Sequence, residues 1–362
     1  MSSEKKVVYS AAPWRMHEFF AGSGLVGYGL NGMFVPVWAN DINERKARVY
    51  RANFDNSRFH LGDIKSVNGA DLPVAELSWA SFPCQDLSLA GSMGGIHAKR
   101  SGLVWEWLRV LDEMPSAPKV IALENVVGLL TSHGGDNYRA LHRALAERGY
   151  RAGAIVLNAN WFVPQSRPRV FVVAVAGNVT SPSAVEGSEP CWLHSPAAIK
   201  LGEELDQWVW WHAPQPDART SVLADLLEDA PFDKDDVLQL VPERHKALLE
   251  EKEHVVAAGY RRTRGGRQVL ELRFDGQAGC LRTPEGGSSR QYVVVKNGED
   301  VHARLLTARE TARLMGAPDS FKLPGSYNDG YFAMGDAVAA PVAEFIGRQL
   351  LVPLVEASYE SE

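Results

Sequence analysis

The sequence predicts an α/β fold. Short apolar runs alternate with helical patterns from Met16 to Ala176, two of those runs close on acids, and the first opens into a glycine turn.

Met16 to Phe20 is the first strand, followed by Ala21-Gly22-Ser23-Gly24. Glycines there let the backbone turn tightly and approach a ligand. The F-x-G-x-G pattern falls short of the full dinucleotide fingerprint, so the turn is a cofactor site or a plain tight turn. Phe34 to Ala39 is the second strand, closed by Asp41. An acid about twenty residues after the glycines is where doubly wound folds hold ribose hydroxyls. Asp41 could instead cap the helix beginning near Asn43, or do both. His60-Leu61-Gly62-Asp63-Ile64 brings a second acid to another strand end. Together these favour an adenosine-bearing cofactor.

Leu77 to Phe82 reads as a buried strand that Pro83 stops, since proline lacks a ladder donor. Cys84 then sits at a strand mouth, where open α/β sheets place their ligands. Its thiol is either structural or a nucleophile with a stabilised thiolate. The glycine-rich run Gly91 to Arg100 is a closing loop, with Lys99 and Arg100 meeting phosphates, or a surface connector. A helix over Leu103 to Leu111 precedes the strand Lys119 to Leu123, which ends at Glu124-Asn125-Val126. A carboxyl buried there needs a partner or a task, and burial would let it hold a proton as a general acid must. Tyr138 to Gly149 is helical, and Ala154 to Ala159 and Val170 to Ala176 are strands. Between them, Arg167 and Arg169 are two residues apart on an extended segment and should point to one side.

From about Gly177 the strand and helix rhythm stops. Ser181 to Pro216 is rich in Ser, Pro, Trp and acids, and Thr220 to Glu228 and Pro242 to His254 are helical candidates. Arg261, Arg262, Arg264 and Arg267 crowd into a loop, and Arg282, Arg290 and Lys296 continue the basic character. Such a surface suits phosphate and groove contacts, or is a solvated hairpin. Thr307 with Glu310 forms a capping box, and a helix from about Pro341 to Val352 closes the chain after Gly335-Asp336-Ala337-Val338.

A chain of 362 residues suggests two domains or one with a large insertion. No apolar run approaches the roughly 18 residues of a membrane helix, and Met1 to Lys6 has no signal-peptide core. Three scattered cysteines support neither a disulfide framework nor a zinc site, so no metal is expected. The expected compartment is the cytoplasm, or the nucleoid within it. A net charge of −6 argues against a passive polyanion binder but permits a basic cleft.

The segments FFAGSG at 19–24, GDI at 62–64, FPCQDLS at 82–88, ENV at 124–126, QSRPR at 165–169, RLLTARETARLMGAPDSF at 304–321 and GDAVAAPV at 335–342 resemble, in that order, the bacterial-type DNA (cytosine-5) methyltransferases. The resemblance implies a Rossmann-like, S-adenosylmethionine-dependent methyltransferase sheet with a smaller inserted target-recognition domain. Residues 1–176 would be the first part of the catalytic domain, 177–281 the recognition domain and 282–362 the return. The cofactor would lie against Phe20, Ala21, Gly22 and Gly24. Asp41 would hold its ribose, Ile42 would contact the adenine, and Asp63 and Ile64 would meet the amine and ring. Pro83, Leu103, Asp336 and Val338 would complete the pocket. Cys84 would attack C6 of cytosine, Glu124 would sit at N3, and Arg169, supported by Arg167, would hold O2. Gln85 and Ser88 would lie near the DNA backbone. A duplex base must be flipped out for this. The implied partner is double-stranded DNA, bound by a monomer; a cognate restriction endonuclease is left open. An RNA (tRNA) cytosine methyltransferase and a silent DNA-binding regulator are the rival readings. The last motif departs from the family's G-N-[AS]-V by carrying Asp336, which would favour an ammonium group or alter the pocket's charge.

Overall fold

The computed structural model describes residues 14–83, 102–283 and 290–361. Cys84, Gln85, Ser88, Lys99 and Arg100, with the whole Gly91 to Arg100 loop, lie outside the described residues.

The chain divides into two compact units, one comprising Met1–Leu157, Pro168–Gln215 and Val342–Glu362, the other Asn158–Arg167 and Pro216–Pro341. The first is built on seven strands, β1 (Trp14–Phe19), β2 (Phe34–Asp41), β3 (Phe59–Leu61), β4 (Leu77–Ala80), β5 (Val120–Asn125), β6 (Tyr150–Asn158) and β7 (Pro168–Ala176). They hydrogen-bond in the order β3-β2-β1-β4-β5-β7-β6. β1 to β5 run parallel, and β7 runs antiparallel to β5. The strand order reverses between β1 and β4, the switch point where such sheets open a crevice at their carboxyl ends. All six residues of β5 are buried, and its first four, Val120 to Leu123, read as an unbroken apolar run.

Helices α1 (Leu25–Gly29) and α2 (Glu44–Asn53) follow β1 and β2, and α3 (Leu103–Glu113) follows β4. α3 turns Val104, Trp107, Leu108 and Leu111 into the core shared with Phe19, Trp38, Ile121 and Val172. Two short helices, α4 (Gly128–Thr131) and α5 (Asp136–Ala146), lie between β5 and β6. The expected domain boundary at residue 177 is not where the structure divides. Residues 178–215, with the two-stranded pair β8 (Glu186–Gly187) and β9 (Trp210–Trp211) and helix α6 (Pro196–Glu204), cluster with the large sheet. Their tryptophans are the reason: Trp211 is fully buried and donates its indole N–H to the Val173 carbonyl on β7, and Trp208 packs against Tyr138 and His142 of α5.

The second unit holds α7 (Glu243–Glu250) and a four-stranded antiparallel sheet of β10 (His254–Arg264), β11 (Arg267–Arg273), β12 (Gln291–Asn297) and β13 (Asp300–Leu305). The strand order is β11-β10-β12-β13, with one face packed on Val237, Val241 and Leu249. The arginine-rich loop expected near residue 260 is therefore strand and hairpin. The helix expected over Thr220 to Glu228 is only a single turn at Leu223–Leu226. Tertiary bonds draw its end away: the Glu228 amide donates to Glu310 Oε1 at 2.8 Å, and the Glu228 carboxylate accepts the Thr307 hydroxyl.

Thr307 caps α8 (Ala308–Leu314) in the expected box, accepting from the Glu310 amide while Glu310 accepts from the Thr307 amide. α9 (Tyr327–Gly335), α10 (Ala340–Ile346), a π-helical turn at Gly347–Leu351 and α11 (Val352–Glu360) complete the chain. Against expectation, the stretch Tyr327–Glu360 is long and apolar enough to cross a bilayer, with a mean hydropathy of 1.4 over its most apolar window. That window is 61% buried inside the protein, as core helices are.

Arg304 and Glu310 form a bidentate ion pair whose side chains are 3% and 0% exposed. Breaking a buried pair strands one charge in the interior, which costs about 3–5 kcal/mol. Glu310→Ala is therefore expected to destabilise the second unit by that amount in a denaturant titration, whereas replacing an exposed acid such as Glu243 should leave the midpoint nearly unchanged.

Candidate active site

The glycine turn leaves β1 through Phe20, a non-glycine residue at a φ of 56°, and passes through Gly24 at 83°. Positive φ is uncommon for any residue but glycine, and such strain collects at ligand sites. Gly24 is needed twice over, because a Cβ there would lie 2.4 Å from the Phe54 ring. Asp41, at the end of β2, is almost fully buried and fastens the turn: Oδ2 accepts from the Gly22 amide at 2.8 Å and Oδ1 from the Asn43 amide at 2.7 Å. Asn43, not Asp41, caps α2, its side chain accepting from the Arg45 and Lys46 amides.

Beside buried Asp41, Ile42 exposes 68% of its surface, an apolar face held out at the mouth of the sheet. Asp63 is half-buried and its Oδ1 accepts from the Lys65 amide, whereas Ile64 is only 3% exposed and belongs to the core. The segment after Asp63 is braced from α3: Arg109 donates to the carbonyls of Ile64 and Val67, and Glu113 accepts from the Gly69 amide. Leu103, the first residue of α3, is half-buried and packs on the same core, while Pro83 is exposed.

Glu124 and Asn125 end β5, both buried. In the antiparallel register Glu124 lies opposite Phe171 of β7, which puts Arg169 on the diagonal. A long side chain spans that distance, and Arg169 Nε pairs with Glu124 Oε1 at 3.0 Å, with side chains 15% and 7% exposed. This is the partner that a buried strand-end carboxylate requires. Asn125 Nδ2 donates to the Phe82 carbonyl at 2.9 Å, fixing the chain two residues before Cys84.

Arg167 goes elsewhere. It is 1% exposed, lies in the second unit and donates to the carbonyls of Leu281, Gly335 and Ala337. The expected pairing of the two arginines on one side fails because β7 starts at Pro168, so period-two alternation does not reach Arg167. Gln165, fully buried, joins the same unit through the Leu314 carbonyl and the Leu281 amide. Asp336 is exposed at the end of α9, and Val338 is buried in the second unit.

Two residues were missed in the sequence. Asn125 was visible only as part of its motif. Glu18, on β1, is fully buried; its Oε1 accepts from the Gly27 amide at 3.2 Å, and Oε2 has no protein partner among the described residues. A buried acid inside an apolar strand beside the glycine turn was the signal.

The chain matches the family model described as C-5 cytosine-specific DNA methylase over residues 14–352. It belongs to that family. Among similar proteins, the type II methyltransferase M.Bsp6I of Bacillus sp. (strain RFL6) is 28% identical, spanning 91% of this chain and 96% of that protein. M.HhaI of Haemophilus parahaemolyticus is 26% identical over 92% of each chain. Solved structures share the fold: S. pombe Dnmt2 methyltransferase aligns with a TM-score of 0.59 at 21% identity, over 93% of this chain and 98% of that one. A putative DNA modification methyltransferase encoded within an E. coli prophage aligns at 0.57 and 17% identity, over 96% and 99%. This methylase is thus a DNA cytosine-5 methyltransferase that takes its methyl group from S-adenosylmethionine. The turn geometry fits that cofactor: a fixed carboxylate at Asp41, an acceptor for ribose hydroxyls, lies beside the exposed apolar face of Ile42, which suits a ring.

Burial pushes the Glu18 carboxyl up to about 8, against the lowering effect of the Gly27 amide. A carboxyl whose folded pKa exceeds its unfolded value binds an extra proton in the folded state, so its stabilisation is full below about pH 4.5 and is lost as pH rises through about 8. Wild-type stability is expected to fall over that window by a few kcal/mol (order of magnitude). Glu18→Gln should flatten the slope, read as unfolding midpoints at pH 5, 6.5 and 8.

Proposed function

We propose that this methylase modifies cytosine within a specific duplex sequence, on a base turned out of the helix, through a covalent bond from Cys84 to C6. C5 of cytosine is a poor nucleophile until the ring is activated, and thiolate addition at C6 supplies that activation. S-Adenosylmethionine, when bound, supplies a methyl group on a sulfonium, the electrophile that an activated C5 can take. Glu124 sits at N3 and donates a hydrogen bond or proton there, lowering the cost of thiolate addition. Arg169 orients the Glu124 carboxyl through Nε, is steadied by Nη1 donating to the Pro168 carbonyl, and meets O2 of the base. Asn125 holds the Phe82 carbonyl just past the end of β4. Departure of the C5 proton and β-elimination of the thiolate then restore the aromatic ring and free Cys84.

The observation that carries this reading is the buried Glu124–Arg169 pair at the ends of β5 and β7. A carboxylate and a guanidinium at one mouth present the two groups that the N3 and O2 edge of a pyrimidine calls for. Asp41 and Ile42 serve the ribose and adenine, and Asp63 the exocyclic amine. Arg262, Arg264 and Arg267 meet DNA from the second unit as its target-recognition surface. The enzyme works as a monomer where cellular DNA lies.

Labelled cofactor with either duplex DNA or tRNA tests the reading. Transfer to cytosine in duplex DNA is expected, and Cys84→Ser should abolish it, along with trapping on 5-fluorocytosine duplexes. Glu124→Gln and Arg169→Ala should each lower kcat by about 10²-fold or more, the scale of general acid contributions. Transfer to tRNA alone would defeat the DNA assignment, and trapping without Cys84 would defeat the mechanism.

A further inference from the structure

The ladder between β10 and β12 ends at Tyr260 opposite Gln291, while β10 and β11 stay paired to Arg264 opposite Arg267. Beyond Tyr260 the hairpin is therefore a two-stranded ribbon with no third strand paired to it among the described residues. Gly265 and Gly266 close it, with φ of 54° and 77° at consecutive positions. Two left-handed residues in a two-residue turn give the twist a tight hairpin needs, and glycine adopts it without strain. A ribbon of this width is what the DNA major groove admits.

Alternation sorts the ribbon's arginines. Arg261 lies opposite Leu270, on the face toward the unit's apolar core, and is half-buried. Tyr260, Arg262 and Arg264 lie on the other face, as does Glu271 opposite Tyr260. There Arg262 Nε pairs with Glu271 Oε2 at 3.0 Å, and Arg264 Nε donates to Glu271 Oε1 at 2.9 Å. Arg262 also stacks over the Tyr260 ring at 5.1 Å. Arg244 of α7 reaches the same carboxylate only at 4.0 Å. One carboxylate thus holds two guanidinium groups, each by Nε. Their terminal nitrogens have no other partner among the described residues, and the side chains remain 49% and 61% exposed.

We propose that Glu271 is a positioning residue for sequence recognition, tethering Arg262 and Arg264 by Nε so that their paired terminal nitrogens meet guanine O6 and N7 in the major groove. A guanidinium held at Nε keeps its end-on pair free, and that pair matches two adjacent acceptors on one base edge. A phosphate would take the same nitrogens but reads no sequence. The inference rests on the DNA methylation proposed above.

The test uses full-length enzyme on amplified, unmethylated genomic DNA, with methylated cytosines mapped by bisulfite conversion. Wild type, Glu271→Gln, Arg262→Lys and Arg264→Lys are compared, with binding to a non-cognate duplex measured across a salt series. Wild type should return one motif. Glu271→Gln should lose discrimination at one or two guanine positions by roughly tenfold or more. Its hold on non-cognate duplex should be unchanged or stronger, since a negative charge has gone. Each lysine variant keeps the charge but not the fork, and should relax one of the same positions. An unaltered motif in Glu271→Gln would overturn the proposal, leaving Glu271 as a charge neutraliser. An equal loss at every position with a lowered unfolding temperature would also overturn it, as a purely structural role. Absence of methylation by wild type on any duplex would instead defeat the proposed function.

Discussion

A carboxylate buried at the mouth of a sheet must find a donor, and the rim of this site is arranged around that demand. Glu124 is held by Arg169 because β7 runs antiparallel to β5 and sets the two on a diagonal. A register slip of one residue would turn Arg169 to the opposite face and leave the acid uncompensated. The neighbouring Asn125 spends its amide on the Phe82 carbonyl just past β4. β4, β5 and β7 are adjacent in the sheet, so their ends form one hydrogen-bonded edge whose geometry follows from strand pairing. Loops do not have to supply that precision.

The same logic orders the cofactor side. Asp41 is a buried acid whose two oxygens accept amides from Gly22 and Asn43, one in the turn after β1 and one in the approach to α2. It ties the turn after β1 to the approach to α2. Asn40 does likewise for β3, donating to the carbonyls of His60 and Gly62. Polar side chains at the carboxyl ends of β2 and β5 therefore brace the mouth and furnish its chemistry at once.

How far this was legible in the sequence depends on what each residue packs against. β4, β5 and β7 announce themselves because a sheet strand covered on both faces is mostly apolar, as in Val120 to Leu123 and Val170 to Ala176. The glycine turn and the acids after β2 and β3 were visible because ligand-facing backbone restricts residue type. The burial of Ile64 was not legible, since an isoleucine after an acid reads alike whether it faces a ring or the core. The side taken by Arg167 was not legible because alternation stops where a strand stops. The arginine cluster at 260–267 reads as loop or solvated hairpin because the outer ends of β10 and β11 carry charge on both faces, which erases the period-two signal. The tryptophans after Gly177 looked like a separate module, yet their indoles anchor that stretch to β7 and α5.

Arginines divide the same way, and energetics shows why their surroundings matter more than their number. Arg304, Arg167 and Arg109 spend their donors on Glu310, on three carbonyls, and on the segment after Asp63, so each is a brace. Losing such a buried partner is costly. Arg262 and Arg264 sit in exposed pairs, which contribute only about 0–1 kcal/mol to stability. Stability is therefore a weak reason for one carboxylate to hold both. Fixing a long side chain before an encounter removes an ordering cost of about 0.5–1.5 kcal/mol per side chain at binding. An acid on a basic ribbon lowers general attraction to a polyanion, and that loss is intelligible when the gain is orientation. Specificity is a difference between affinities, so weakening contact with every sequence leaves it unchanged while aligning donors for one raises it.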